Sequence, residues 1–153
     1  RRRASSRSCG TLVNSISGTI PAEMSKLSQL KYVRLYNNII SGTIPSDMGK
    51  LSQLYNLWLN NNAISGTIPP ETGKLSQLNI LSLNTNSISG TIPAELSELS
   101  QHDVLSLHSN SISGTILNRN SISGTIPPET SKLSQLRYLS LNRNSISGTT
   151  GVA

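Results

Sequence analysis

The chain has 153 residues, of which 35% are hydrophobic, 13% are charged and 3% are aromatic, with no phenylalanine. It holds no run of about 18 apolar residues and therefore no membrane span, and its single cysteine excludes an internal disulfide and a multi-cysteine zinc site. Four arginines within the first seven residues supply much of the net charge of +6. From residue 8 onward the chain has nine basic and seven acidic residues, so this part lacks the basic surface that nucleic-acid binding needs.

Residues 1–10 form a basic tail that we expect to be disordered. This tail lacks the apolar stretch of a secretory signal peptide. Because the chain starts at Arg1 and not at a methionine, we expect it to be a processed chain or a fragment of a longer protein.

A 24-residue unit recurs along the rest of the chain. The string Ser-Gly-Thr-Ile begins at positions 17, 41, 65, 89, 113 and 123, and an asparagine stands three residues before each copy. Successive copies are evenly spaced by one unit, except that the interval from position 113 to position 123 is much shorter. A unit that buries its apolar side only against a copy of itself predicts a solenoid of stacked coils.

Three elements are predicted within each unit. The Leu-x-Leu alternation predicts a short strand with Leu57 and Leu59 facing inward and Trp58 facing outward. The following Ser-x-Ser-Gly-Thr-Ile stretch predicts a second short strand on the flank, which a proline ends because proline cannot donate to the ladder. The Glu-x-x-Lys spacing then predicts a helical turn on the convex side.

The repeated asparagine follows the first strand, at a bend. A buried amide has to be paired by hydrogen bonds, and backbone groups of the neighbouring coil are its natural partners. We therefore predict a structural asparagine ladder, formed by Asn38, Asn62, Asn86, Asn110 and Asn144.

One unit is irregular, because only a ten-residue interval separates Asn110 from Asn120. So short a unit cannot circle the cross-section of a regular coil, so either residues 111–120 or residues 117–126 loop out, or the solenoid splits there. In the preceding coil His102 replaces a core leucine, and we interpret it as a tolerated edge residue. We expect one domain over residues 11–153, with about six 24-residue coils and an irregular ten-residue unit near residues 111–120.

The joint recurrence of a Leu/Asn frame and an Ile-Ser-Gly-Thr-Ile-Pro frame resembles the plant-type leucine-rich repeat. That repeat occurs in receptor-like kinase ectodomains and in polygalacturonase-inhibiting proteins. The resemblance covers about residues 11–150. It implies an α/β repeat solenoid, a right-handed coil with a parallel concave sheet, short flank strands and convex 3-10 or helical turns.

The resemblance also implies a place outside the cell or at the cell surface, although no signal peptide is visible. The family usually has an N-terminal cap with paired cysteines, and only Cys9 is present here. Neither end of the chain shows a regular cap, which fits a fragment of a receptor-like or secreted signalling protein.

The concave face is the predicted binding site. Four of the five aromatic residues lie in the first two coils and are predicted to point outward, and Tyr, Trp and Arg are enriched at binding hot spots. Arg34 and Trp58 stand one 24-residue unit apart, so we expect them to stack on adjacent strands with a cation–π contact. The resemblance implies a protein or peptide ligand on this face, and we expect its contacts to come from Tyr32, Arg34, Tyr36, Tyr55, Trp58 and Asn60. The alternative is that these aromatics only cover the sheet.

The sequence contains none of the usual catalytic motifs, so we expect no catalytic residues, no cofactor, no metal and no enzymatic activity. An alternative function is ice binding, because strands stack at a spacing near that of an ice lattice and would align ranks of hydroxyls. The hydroxyls concerned are those of Ser17, Thr19, Ser41, Thr43, Ser65, Thr67, Ser89, Thr91 and Thr115. A third alternative is a purely structural segment of a longer receptor. The sequence indicates neither the oligomeric state nor the identity of the ligand.

Overall fold

The computed structural model describes residues 15–112 and 134–144. The tail at residues 1–10 and the segment 117–126 lie outside these ranges, as does all but the start of the segment 111–120. In chain order the elements are β1 (Ser17–Thr19), η1 (Ala22–Lys26), β2 (Tyr32–Arg34), β3 (Ile39–Ser41), η2 (Ser46–Lys50), β4 (Asn56–Trp58), β5 (Ser65–Gly66), η3 (Pro70–Lys74), β6 (Ile80–Ser82), β7 (Ser87–Gly90), η4 (Ala94–Glu98), β8 (Val104–Ser106), β9 (Ser111–Ile112) and β10 (Tyr138–Ser140), where η denotes a 3-10 helix.

The concave face is a parallel sheet of five strands in the order β2-β4-β6-β8-β10. Equivalent positions of successive units are aligned, so that Leu57 pairs with Val33 on one side and with Leu81 on the other. The flank carries further parallel pairings, of β1 with β3, of β5 with β7 and of β7 with β9. The predicted leucine-rich repeat solenoid is therefore the fold of this chain.

The concave sheet continues across the irregular unit. Strand β10 pairs directly with β8, and Leu139 stands opposite Leu105, although a regular 24-residue unit would bring position 129 to that place. The coil between these strands is therefore longer than a regular one, by the length of the irregular ten-residue unit. The two strands on either side of the extra chain still lie next to each other.

The core consists of columns of leucine and isoleucine that repeat from coil to coil. Leu57, Leu59 and Ile64 are at most 1% exposed, as the alternation of the sequence predicts. Burial of one such side chain contributes about 1.5–3 kcal/mol. Because each coil covers the apolar side of the next, the same small set of side chains builds the whole interior.

His102 occupies one of these core columns, at the position that Leu54 and Leu78 hold in the two preceding coils. Its side chain is buried, with 1% of its surface exposed, so the interpretation as an edge residue is wrong. Neither ring nitrogen has a hydrogen-bond partner. Burial lowers the pKa of His102 to about 4, while the nearby backbone of Leu78 and the charge of Asp103 act in the opposite direction. The imidazole is therefore neutral at pH 7.

The convex side is formed by the 3-10 helices η1 to η4. Each begins directly after a proline in extended conformation, such as Pro45 with φ −66° and ψ 135°. Proline fixes φ near this value, so it suits the position directly before the helical turn. The prediction that proline ends the flank strand is wrong, because β3 already ends at Ser41 and β5 at Gly66, each at least three residues before the next proline. In η2 the predicted charge pair forms an ion pair between Asp47 and Lys50 on the exposed surface.

Candidate binding site on the concave face

The aromatic patch, which we define as Tyr32, Arg34, Tyr36, Tyr55 and Trp58, lies on the first two concave strands and their ends. Tyr32 and Arg34 flank the buried Val33 on β2, so both side chains project from the concave face. Arg34 stands opposite Trp58 in the sheet, and its guanidinium carbon lies 5.0 Å from the centroid of the Trp58 ring. The cation–π contact that the 24-residue spacing predicts is thus present.

The same guanidinium carbon lies 5.7 Å from the ring centroid of Tyr32. Tyr32 in turn meets Tyr55 edge to face, with 6.2 Å between ring centroids and 78° between the ring planes. Four of the five predicted patch residues are thereby joined through direct contacts. Tyr36 is exposed at the end of the strand, and within the described residues it makes no ring contact with the other four.

A second group of side chains, which we call the polar row, continues the concave face beyond the aromatic patch. It alternates hydroxyls with amides and one imidazole, and its members are Asn60, Ser82, Asn84, Ser106, His108, Ser140 and Asn142. The Ser82 hydroxyl donates to Asn84 Oδ1 at 2.8 Å and also lies 3.3 Å from Asn60 Oδ1. Of the predicted site residues, Asn60 thus belongs to the polar row.

The chain of hydrogen bonds extends to the last described coil. The Ser106 hydroxyl lies 3.2 Å from Asn84 Oδ1 and 3.1 Å from His108 Nδ1. The Ser140 hydroxyl lies 3.0 Å from His108 Nδ1 and 2.8 Å from Asn142 Oδ1. Partial burial and the charge of Arg143 lower the pKa of His108 below its ordinary value. At pH 7 the ring is therefore neutral, and its Nδ1 lies within hydrogen-bond distance of both serine hydroxyls.

Sequence reasoning missed this connection. The residues of the polar row are visible as outward positions, but their spacing does not say that they bond to each other. The signal that the sequence does contain is a serine at one strand position in three successive described coils, followed two residues later by asparagine or histidine. In a parallel sheet this pattern places hydroxyls and their acceptors within reach of one another across strands.

The repeated asparagines bind backbone groups of two coils at once. Asn86 is an example, because its Oδ1 accepts from the Ile64 amide at 3.0 Å and its Nδ2 donates to the carbonyls of Leu59 and Leu83, both at 3.0 Å. The same pattern recurs at Asn38, Asn62 and Asn110. In each, Oδ1 accepts a hydrogen bond from one backbone amide and Nδ2 donates to backbone carbonyls. In the last coil Asn144 differs in one bond, since its Oδ1 accepts from the Asn110 amide at 3.2 Å.

The hydroxyls of the flank have structural contacts. The Ser65 hydroxyl donates to the Gly42 carbonyl at 3.2 Å, and the Ser89 hydroxyl donates to the Gly66 carbonyl at 3.2 Å. Two threonines of the same rank, Thr43 and Thr67, are exposed, and their methyl groups lie over the glycine of the next coil. Packing between coils therefore accounts for the Ser-Gly-Thr string, and nothing in the described residues favours the ice-binding alternative. The last threonine of that alternative, at position 115, lies outside the described residues.

We expect Gly66→Ala to destabilise the chain by about 1–2 kcal/mol, the usual cost of a left-handed backbone for a residue with a side chain. Gly66 has φ +76°, and an added Cβ would lie 2.8 Å from the Thr43 methyl carbon, so the contact also opposes a side chain. Thermal unfolding of Gly66→Ala and of Thr43→Ser/Gly66→Ala separates the cost of the backbone conformation from the cost of the contact. The serine removes the methyl group, so only the backbone strain remains in the double variant. A single variant as stable as the wild type contradicts this account of the flank.

Two observations bear on other classes of site. Within residues 15–112 and 134–144, no three His, Cys, Asp or Glu side chains are grouped so that they could hold a metal ion. In the same part of the chain, every helix is too short or too polar to cross a membrane.

Comparison with known families gives one match. The model described as Leucine Rich Repeat matches residues 29–51, 53–75 and 77–99, three consecutive stretches of the regular coils. No curated protein sequence matches the chain.

Solved structures similar to this chain are ectodomains of plant receptor kinases. The ectodomain of the receptor kinase SOBIR1 from Arabidopsis thaliana is 32% identical with a TM-score of 0.76, and the match covers 88% of this chain and 68% of that one. The ectodomain of GASSHO1/SCHENGEN3 from Arabidopsis thaliana, in complex with CASPARIAN STRIP INTEGRITY FACTOR 2, is 34% identical with a TM-score of 0.79. The Arabidopsis receptor kinase HAESA, in complex with the peptide hormone IDA and the co-receptor SERK1, is 35% identical with a TM-score of 0.72.

This chain is shorter than most of these relatives. The match covers 87% of this chain but 15% of the GASSHO1/SCHENGEN3 chain, and 88% of this chain but 25% of the HAESA chain.

Proposed function

Because the chain belongs to the plant-type leucine-rich repeat family, we propose that it is a non-enzymatic recognition module that binds a protein or peptide partner on its concave face. Similar ectodomains supply one argument, since that of HAESA is found with a peptide hormone and a co-receptor. We extend the proposal to location and place the module outside the cell or at the cell surface, as the similar receptor ectodomains suggest.

The aromatic patch is the observation that carries the proposal. Tyr32 is 51% exposed, Tyr36 44% and Tyr55 42%, although a folded chain gains free energy when it covers large apolar rings. Exposed apolar clusters of this kind mark interaction sites. Four of its five residues also contact one another, which reduces the side-chain entropy that these four lose when a partner binds.

We expect Trp58→Ala to weaken partner binding by about 2 kcal/mol, or roughly 30-fold in Kd, if this tryptophan is a hot spot. The Trp58 side chain is half-buried on the concave surface, while its neighbours Leu57 and Leu59 form the core, so the fold is retained. Tyr138→Ala is the matched control, because Tyr138 is an exposed aromatic residue on the last described concave strand, outside the aromatic patch.

The measurement is a selection from a random library of twelve-residue peptides displayed on phage, followed by affinities of the enriched peptides for each variant. Melting temperatures of the same variants separate lost binding from lost folding. A library that yields no binding peptide sinks the proposal of a peptide-binding module. Enriched peptides that bind wild type and Trp58→Ala equally well place the binding site elsewhere.

A further inference from the structure

The contact between β8 and β10 differs from the other contacts between coils. We call it the β8–β10 joint, and it connects the coil of β8 to residues 134–144, the last coil, across the irregular unit. Both histidines of the chain, His102 and His108, lie on the β8 side of this joint. An ion pair crosses it, with Arg137 Nε 3.6 Å from Asp103 Oδ1. Titratable side chains are therefore concentrated at one joint, and the charge of that joint depends on pH.

His102 places an imidazole inside the β8–β10 joint. In its core column it lies between Leu78 of the preceding coil and Leu136 of the last coil. The ring is buried, and neither nitrogen has a hydrogen-bond partner. A protonated imidazole in this place is a buried charge between two leucines, and taking such a charge out of water costs free energy. Acid therefore favours an opening that exposes His102 to solvent.

The charges around His102 offset its burial only in part. Asp103 is the next residue and favours the charged ring, but its carboxylate also lies within ion-pair distance of Arg137. On the convex side, Lys74 ends η3 and Glu98 ends η4, and both are exposed. Burial outweighs the charge of Asp103, since the pKa of His102 is lowered to about 4.

His108 acts on the same joint from the concave face. Its Nδ1 lies 3.0 Å from the hydroxyl of Ser140, a residue of the last coil. The charge of Arg143, which also belongs to the last coil, opposes protonation of the ring. Once protonated, His108 and Arg143 are like charges on opposite sides of the joint, and they repel each other. Protonation of either histidine thus weakens the same contact.

Of the two coils that cover His102, the last coil is held less firmly. Among the described residues β10 has one partner strand, β8. The inward residue of β10, Leu139, is 46% exposed, whereas its counterpart Leu105 on β8 is 2% exposed. In a solenoid a coil with one neighbour opens at a lower free energy than a coil between two neighbours. Opening at the joint therefore releases the last coil.

We infer that the β8–β10 joint is acid-sensitive, and that protonation of His102 and His108 releases residues 134–144 while the preceding coils stay folded. Release removes Ser140 and Asn142 from the polar row, so the concave surface is shorter in acid than at neutral pH. The inference concerns the chain itself and does not depend on the proposed peptide ligand.

Hydrogen exchange measured by mass spectrometry on the full chain at pH 7 and pH 5 tests this inference, with each rate divided by the intrinsic rate at the same pH. A group whose pKa rises from about 4 to 6.5 on opening shifts the opening equilibrium by up to about 20-fold between these two pH values. We expect the protection of residues 134–144 to fall by about 5- to 20-fold. Residues 53–75 should stay better protected than the last coil at pH 5.

The double variant His102→Leu/His108→Asn removes both titrating groups and introduces the residues that Leu78 and Asn84 supply one coil earlier. We expect its last coil to have the same protection at both pH values. His102→Leu alone should lose most of the acid response, because the ring of His102 is the more deeply buried of the two. Glu98→Gln is the matched control, since it changes an exposed carboxylate of the convex side and should keep the wild-type response.

Three results overturn the inference. Equal protection of residues 134–144 and 53–75 at pH 5 means that acid opens the whole solenoid and not one joint. Protection of the last coil that is the same at pH 7 and pH 5 in the wild type means that the joint does not respond to acid. An acid response that persists in the double variant assigns it to groups other than the two histidines.

Discussion

We expect His102→Leu to stabilise the protein by about 1–3 kcal/mol at pH 7, the cost of buried polar groups that lack a hydrogen bond. The substitution removes two buried ring nitrogens that have no hydrogen-bond partner and restores the leucine that Leu54 and Leu78 supply in the equivalent positions. Urea unfolding at pH 7 measures the change. Leu78→His is the matched control, because it places the same imidazole in the same column one coil earlier and should destabilise the chain.

The same substitution should change the response to acid. The pKa of His102 is about 4 in the folded chain, against 6.5 for the unperturbed group, so the unfolded chain binds more protons between these values. Wild-type stability therefore falls as the pH is lowered from about 6.5 to about 4, by an amount on the order of 3 kcal/mol from this residue. His102→Leu lacks this contribution. A pH profile of stability that is identical in the two proteins would contradict the buried, neutral imidazole.

The second large effect is expected for Asn86→Ala, which should cost about 1–3 kcal/mol because a buried backbone amide loses its hydrogen-bond partner. Truncation leaves the amide of the buried Ile64 without its partner. The carbonyls of Leu59 and Leu83 each lose one donor and keep another, from Asn62 and Asn110 respectively. Because one asparagine ties two coils together, the loss falls on the contact between neighbouring repeats, on which the stability of a solenoid depends.

Asn142→Ala is the control for that experiment. Asn142 is exposed, and its side chain accepts one hydrogen bond, from the Ser140 hydroxyl at 2.8 Å. We expect its removal to change the free energy of unfolding by less than about 1 kcal/mol. If urea unfolding gives similar losses for the two variants, the asparagine ladder is not what holds the coils together.

Part of the candidate site could be predicted from the sequence. The 24-residue spacing suffices to place Arg34 beside Trp58, because a solenoid repeats one residue position on each successive strand. The link between Tyr32 and Tyr55 was not predictable in the same way. These two residues do not hold equivalent positions of the repeat, and their edge-to-face geometry depends on the twist of the sheet and on side-chain rotamers.

The sequence by itself determined the repeat, its strands, its inward leucines and its asparagine ladder. These features depend on patterns within one unit and on the equal length of successive units, and both can be read from the order of residues. Only the tertiary structure decided that His102 is buried, that the polar row is a connected set of hydrogen bonds, and that β10 joins β8 across the irregular unit. Each of these depends on which residues of two neighbouring coils lie opposite each other. Where the unit length is irregular, the sequence no longer gives that pairing.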